Sequence, residues 1–106
     1  MIVWAELTAA ERAEILADPG DRLVRADMRG ANLIMANLSW ANLRGANLHG
    51  ANLIMADLHK ANLKGSEMHG AILVGAILIG ANLTKTNLRE ANLIEANLTD
   101  AKGIEA

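Results

Sequence analysis

From Ala26 onward, alanine and leucine recur every five residues, with polar residues in fixed places between them. Each unit has an apolar centre, alanine two places before it, and asparagine or aspartate immediately before it. Examples are Ala31-Asn32-Leu33-Ile34-Met35 and Ala36-Asn37-Leu38-Ser39-Trp40, continuing to Ala96-Asn97-Leu98-Thr99-Asp100. Counting back, Asp21-Arg22-Leu23-Val24-Arg25 is a degenerate first unit, which gives 16 units in one register over residues 21–100. The centre is Leu in 14 units and Met in two, Met28 and Met68. A helix, at about 100° per residue, would turn each unit by about 140° and spread the leucines over every side. A strand alternates its side chains with period two, so successive leucines would face opposite ways. All the centres point inward only if the chain turns a corner in every unit. Asn before the centre and Gly at many unit ends (Gly30, Gly45, Gly50) tolerate such corners. A chain that bends at each unit and stacks on itself is a solenoid.

The ends break the pattern. Thr8-Ala9-Ala10-Glu11 reads as a capping box that opens a short helix running to about Ala17, with Pro19-Gly20 as its stop. Ala13, Leu16 and Ala17 share one side of that helix, which is expected to lid the first coil. Residues 1–20 are thus an N-terminal capping segment, 21–100 the repeat body and 101–106 a C-terminal tail. Ala101-Lys102-Gly103-Ile104-Glu105 starts a seventeenth unit, but Gly103 stands where Leu belongs, so the core is expected to stop there.

Tandem A-(N/D)-L-x-x resembles the pentapeptide-repeat family, and the resemblance covers residues 21–100. It implies an all-β fold: a right-handed, four-sided β-helix of about four coils, with Ala and Leu inward and the other three positions outward. Residues 20 apart then stack in columns on four outer sides.

The first side carries Arg22, Arg25, Arg44, Lys64 and Lys85 and no outward acid. It reads either as an anion or phosphate docking stripe or as an ordinary solvated side. The second carries Arg29, His49, His69 and Arg89, with Glu67 adjoining. Two imidazoles and a carboxylate could bind a transition metal, but flanking arginines oppose a cation, so no metal is expected at His49 and His69. The third side is the most apolar: Ile34, Ile54, Val74 and Ile94 in one column, Met35, Met55, Gly75 and Glu95 in the next, and Asn32, Asn52, Ile72 and Asn92 in the preceding one. Trp40, Ile77 and Ile79 extend it onto the fourth side. These side chains point away from the core, so they are either a partner surface, ordinary strand formers, or the seat of the N-terminal segment.

Composition narrows the function classes. The formal charge of −2, from 10 basic and 12 acidic residues, marks neither a general nucleic-acid binder nor an acidic mimic of one. Residues 21–100 hold eight basic and seven acidic residues. That count disfavours the role the resemblance suggests through the family's DNA-mimicking binders of type II topoisomerases, which are acidic. There is no cysteine, hence no thiol chemistry, and glycine recurs as a corner rather than as a phosphate loop. No catalytic constellation and no cofactor site is read. No signal peptide is read at Met1-Ile2-Val3-Trp4, and the apolar run Ala71–Gly80 is half a membrane span at most, since a span takes roughly 20 residues. A cytoplasmic protein without a membrane partner is the expectation.

The reading is therefore a non-enzymatic interaction scaffold, expected to form a homodimer or to bind an unknown protein partner. The resemblance also implies end-to-end dimers. The last coil, with Leu83, Leu88, Leu93, Leu98 and Ile104, supplies one candidate interface, and the third side supplies the other.

Overall fold

The computed structural model describes residues 1–104; Glu105 and Ala106, part of the expected tail, lie outside the described residues. Backbone pairing follows the five-residue unit. Parallel bridges join residues 20 apart, from Asp27–Asn47 through Asn52–Ile72 to Asn82–Lys102. Between regular passes each side makes the same three contacts with the next; the first unit, 21–25, keeps only one of them, Arg25 N–H to the Arg44 carbonyl at 2.9 Å. On the third side, Leu33 N–H donates to the Asn52 carbonyl at 2.8 Å, Asn52 N–H to the Ala31 carbonyl at 2.9 Å, and Met35 N–H to the Ile54 carbonyl at 2.9 Å.

Between sides the chain makes a four-residue turn. The centre's carbonyl accepts from the amide three residues on, as Met28 does from Ala31 at 3.0 Å. The last residue of each unit has positive φ, the one before it does not, and that sign pattern belongs to a type II turn. Asparagine locks the corner: its Oδ1 accepts the N–H two residues ahead, as Asn37 does from Ser39 at 3.1 Å.

The expected all-β content takes a particular form: single bridged residues on each side, with no run of extended strand among the described residues. With two of every five residues at the centre of a turn, too few remain to pair consecutively. Ala, Leu and Met at the inward positions fill the bore, and Leu38, Leu43, Leu53 and Met68 are wholly buried. The body is elongated, with extents of 39 × 22 × 20 Å.

The N-terminus is closed in two ways. Ile2 to Trp4 act as an extra layer on the second side: Asp27 N–H donates to the Ile2 carbonyl and Trp4 N–H to the Asp27 carbonyl, both at 2.8 Å. Helix α1 (Ala9–Ala17) begins at the capping box, with Thr8 N–H on Glu11 Oε1 at 2.8 Å and Glu11 N–H on Thr8 Oγ1 at 3.1 Å. Its buried side is not the expected one. Ala13 and Ala17 are exposed, while Ile15 is buried and Leu16 half-buried. Arg12 sets this rotation: its guanidinium donates twice to the Trp4 carbonyl, at 3.1 and 2.9 Å, and lies 5.7 Å from the Trp4 ring centre. Trp4 and Ile15 join the core at this end.

Candidate interaction surfaces

On the third side the turns hold the apolar residues outward. Ile34 is 45%, Met35 69%, Met55 59% and Ile94 62% exposed; Ile54, Ile72 and Val74 are half-buried between their column neighbours. Met55 leans on the next pass, where its Cγ would lie 3.3 Å from a Cβ on Gly75. The N-terminal segment pairs on the second side, so it does not seat on this one. Around the fourth side, Trp40 and Ile77 are exposed and Ile79 is half-buried. The Trp40 ring meets His59 edge-on at 6.1 Å.

The last pass is only partly covered. Leu88, Leu93 and Leu98 are half-buried, whereas Leu48, Leu53 and Leu58 two passes earlier are wholly buried. Among the described residues, the amides of Leu88, Glu90, Leu93, Glu95, Leu98 and Asp100 have no backbone partner. Leu83 departs from its expected place on the open edge: it is buried, because Lys102 continues the ladder above it and accepts the Leu83 N–H at 2.8 Å. Gly103 lies so close to the Thr84 backbone that a Cβ there would sit 2.5 Å away, and Ile104 is exposed.

The second side brings the two histidines together, with ring centres 4.9 Å apart and planes tilted by 35°. Their acid neighbour differs from the expected one. Glu67 is hydrogen-bonded by Asn87 Nδ2, and it is Glu90 that lies 3.7 Å from His69 Nε2. Among the described residues no three His, Cys, Asp or Glu side chains converge as metal ligands. Arg29 is taken up by Asp27 at 2.7 Å, and this hydrogen bond holds the Asp27 carboxyl below its ordinary range and raises the Arg29 guanidinium.

Arg25, Arg44, Lys64 and Lys85 reach the surface of the first side, whereas Arg22 is exposed but turned to the cap, where it donates to the Asp18 carbonyl. Arg25 lies along the corner over Gly45. One further cation belongs here and was missed: Lys102, placed by its bridge to Asn82; Lys60 ends a fourth-side unit at the adjoining corner and lies over Gly80. The 20-residue register carried past Asp100 is the signal that locates Lys102.

The family model for pentapeptide repeats, eight copies, matches residues 22–58, 41–78 and 71–102. The chain belongs to the pentapeptide-repeat family. Among solved structures it is similar to a pentapeptide repeat protein of the Arabidopsis thaliana thylakoid lumen, at 37% identity and a TM-score of 0.73, covering 76% of this chain and 56% of that one. It is also similar to the pentapeptide repeat protein Rfr23 from the cyanobacterium Cyanothece 51142, at 36% identity and a TM-score of 0.50, covering 74% of this chain and 60% of that one. The chain thus spans less than two thirds of either relative's length. No curated protein matches the chain significantly. No helix among the described residues is long and apolar enough to cross a membrane.

Proposed function

We propose that this pentapeptide-repeat chain is a non-enzymatic interaction scaffold that self-associates end to end through its last pass. In this reading residues 21–100 are four coils of a right-handed, four-sided helix, capped by residues 1–20 and trailed by residues 101–106. The observation that supports it is the difference between the two ends. Trp4 and Ile15 plug the first pass, whereas Leu88, Leu93 and Leu98 of the last pass keep solvent contact. Unpaired amides beside half-buried leucine are a template for another layer. A two-fold axis joining two such ends buries both edges and closes the assembly, so no filament grows. The test is the solution mass of the 106-residue chain by light scattering: twice 11.3 kDa is expected, and a single-chain mass overturns the proposal.

A lateral dimer is the second reading, favoured by the exposure of Ile34, Met35, Met55 and Ile94. A two-fold axis lying in the plane of the third side, across its columns, sets Ile34 on its partner's Ile94 and Ile54 on its partner's Val74, a self-complementary column.

A further inference from the structure

The first side is chemically one-sided. Five of the 10 basic residues lie on it: Arg25, Arg44, Lys64, Lys85 and Lys102. Among the described residues none of the five has a carboxylate within 4.0 Å. Against the expectation of no outward acid, one carboxylate among the described residues of this side is exposed: Asp21, at the N-terminal end, accepts from Asn42 Nδ2 at 3.0 Å.

The asparagines of this side turn their acceptors inward. Oδ1 of Asn42, Asn62 and Asn82 accepts the N–H of Arg44, Lys64 and Thr84 at 3.2, 3.0 and 3.0 Å. The Thr84 hydroxyl donates into the same Asn82 oxygen at 2.6 Å. The NH2 group of Asn42 is taken up by Asp21, while among the described residues those of Asn62 and Asn82 have no hydrogen-bond partner and add donors beside the guanidinium and ammonium groups. Two apolar groups border them. Trp40, at the corner before Ala41, is 70% exposed, and Ile104, beyond Thr84 in the Arg44–Lys64 column, is 45% exposed.

We propose that this side docks on an anionic phospholipid bilayer. The layout of the cations favours a planar partner over a linear one. They form two parallel columns of two, Arg44 with Lys64 and Arg25 with Lys85, with Lys102 beyond Asn82 in a third; Arg22, in the unbridged first unit, donates to the Asp18 carbonyl and borders a cleft with Glu11 and Glu14. A nucleic-acid strand tracking a column meets two cations at most, whereas a charged plane meets five at once. The corner turns and stacked passes hold the side level, so little ordering accompanies contact. Indole prefers the headgroup level of a membrane, where the Trp40 edge would lie. Each Lys or Arg near an anionic leaflet strengthens binding by about fivefold. This is contact with a membrane surface, a different matter from spanning it. It holds for one copy or two, so it does not depend on the end-to-end dimer.

The test is flotation with vesicles of phosphatidylcholine and phosphatidylserine in a two-to-one mixture, beside vesicles of phosphatidylcholine alone. The protein is expected to float only with the mixed vesicles, to be released by high salt, and to show a blue shift of Trp40 emission that Trp40→Ala removes. Arg44→Glu with Lys64→Glu should weaken binding by about 25-fold or more. Arg29→Glu with Arg89→Glu, which makes the same change in net charge on the second side, should leave binding in place. Thermal melts of both double variants verify their fold, and Leu98→Glu should still float. Failure to float with the mixed vesicles overturns the proposal, as does equal loss in the two double variants. Tighter binding of a single-stranded oligonucleotide, with displacement from vesicles, overturns it in favour of nucleic acid.

Discussion

Each unit's last residue carries the strain of the corner. Nine of these positions are not glycine, among them Trp40 (φ 62°), Lys60 (φ 58°) and Glu95 (φ 61°). A left-handed backbone costs a residue with a Cβ about 1–2 kcal/mol, so those corners persist because the pairing on both sides of them leaves no alternative. Gly50 and Gly80 share this conformation but differ in surroundings. A Cβ at Gly50 meets nothing within 4 Å, while one at Gly80 would sit 2.8 Å from the Lys60 stem. Gly50→Ala should therefore cost about 1 kcal/mol in urea unfolding, and Gly80→Ala more, unless Lys60 swings away. Ser66 makes the opposite case. It occupies an inward alanine position at 1% exposure, and its Oγ has no hydrogen-bond partner among the described residues. Burying an unpaired hydroxyl costs about 1–3 kcal/mol, so Ser66→Ala should raise stability by roughly that amount. Equal or lower stability of the variant would mean that a hydrogen-bond partner reaches Ser66 in solution. The inward phase of these residues was readable from the five-residue spacing alone. The sign of φ at Met35 or Glu95 was not, because nothing in a methionine or a glutamate announces a left-handed corner.

The elements divide in the same way. Helix α1 was legible because its start is chemical: Thr8 and Glu11 bond each other's amides. Its buried side was not. Two stripes share helical spacing, Ala13-Leu16-Ala17 and Arg12-Ile15-Leu16, and the contact of Arg12 with Trp4 selects the second. That contact joins residues eight apart through a fold the spacing does not encode. The capping box also gives a pH dependence. The Thr8 amide, with the Thr8 hydroxyl, holds the Glu11 carboxyl below its ordinary 4.5. A carboxyl lowered in the folded state stabilises fully above its unfolded value and loses that contribution as pH falls through the folded one. The protection of the Thr8 amide, its exchange rate compared with that of an unstructured amide at the same pH, should therefore fall on acidification below the ordinary Glu11 value of 4.5. Glu11→Gln, whose side chain still accepts, should flatten the response. In the body the element is a layer. Leu53 is wholly buried with passes on both sides, so Leu53→Ala should cost about 2–5 kcal/mol in chemical unfolding. A soluble, cooperatively melting Leu53→Lys variant would contradict the inward phase.

At the scale of the molecule, opposite sides of the body carry opposite chemistry, basic on the first and apolar on the third, and the two ends differ in how well they are closed. The third side and the ends were legible as columns once the 20-residue register was taken. That Leu83 is covered was not, because Gly103 reads as a missing core residue. In the fold, glycine is what lets Lys102 and Gly103 lie against Leu83 and Thr84. The edge proposed for self-association therefore runs over the second, third and fourth sides, through Leu88, Leu93 and Leu98, and not over the first. Two substitutions separate the dimer models. Leu98→Glu places a charge on the half-buried end and should reduce an end-to-end dimer to single chains. Ile54→Glu lies on the outer column of the third side and should leave that dimer intact. A lateral dimer gives the reverse result. Because Leu98 also lines the last layer, its variant needs a melting curve beside its mass: a lowered mass with a body that still melts cooperatively assigns the loss to the interface. Should Ile54→Glu alone halve the mass, the end-to-end arrangement is wrong, and the apolar column from Ile34 to Ile94 is the surface on which two copies meet.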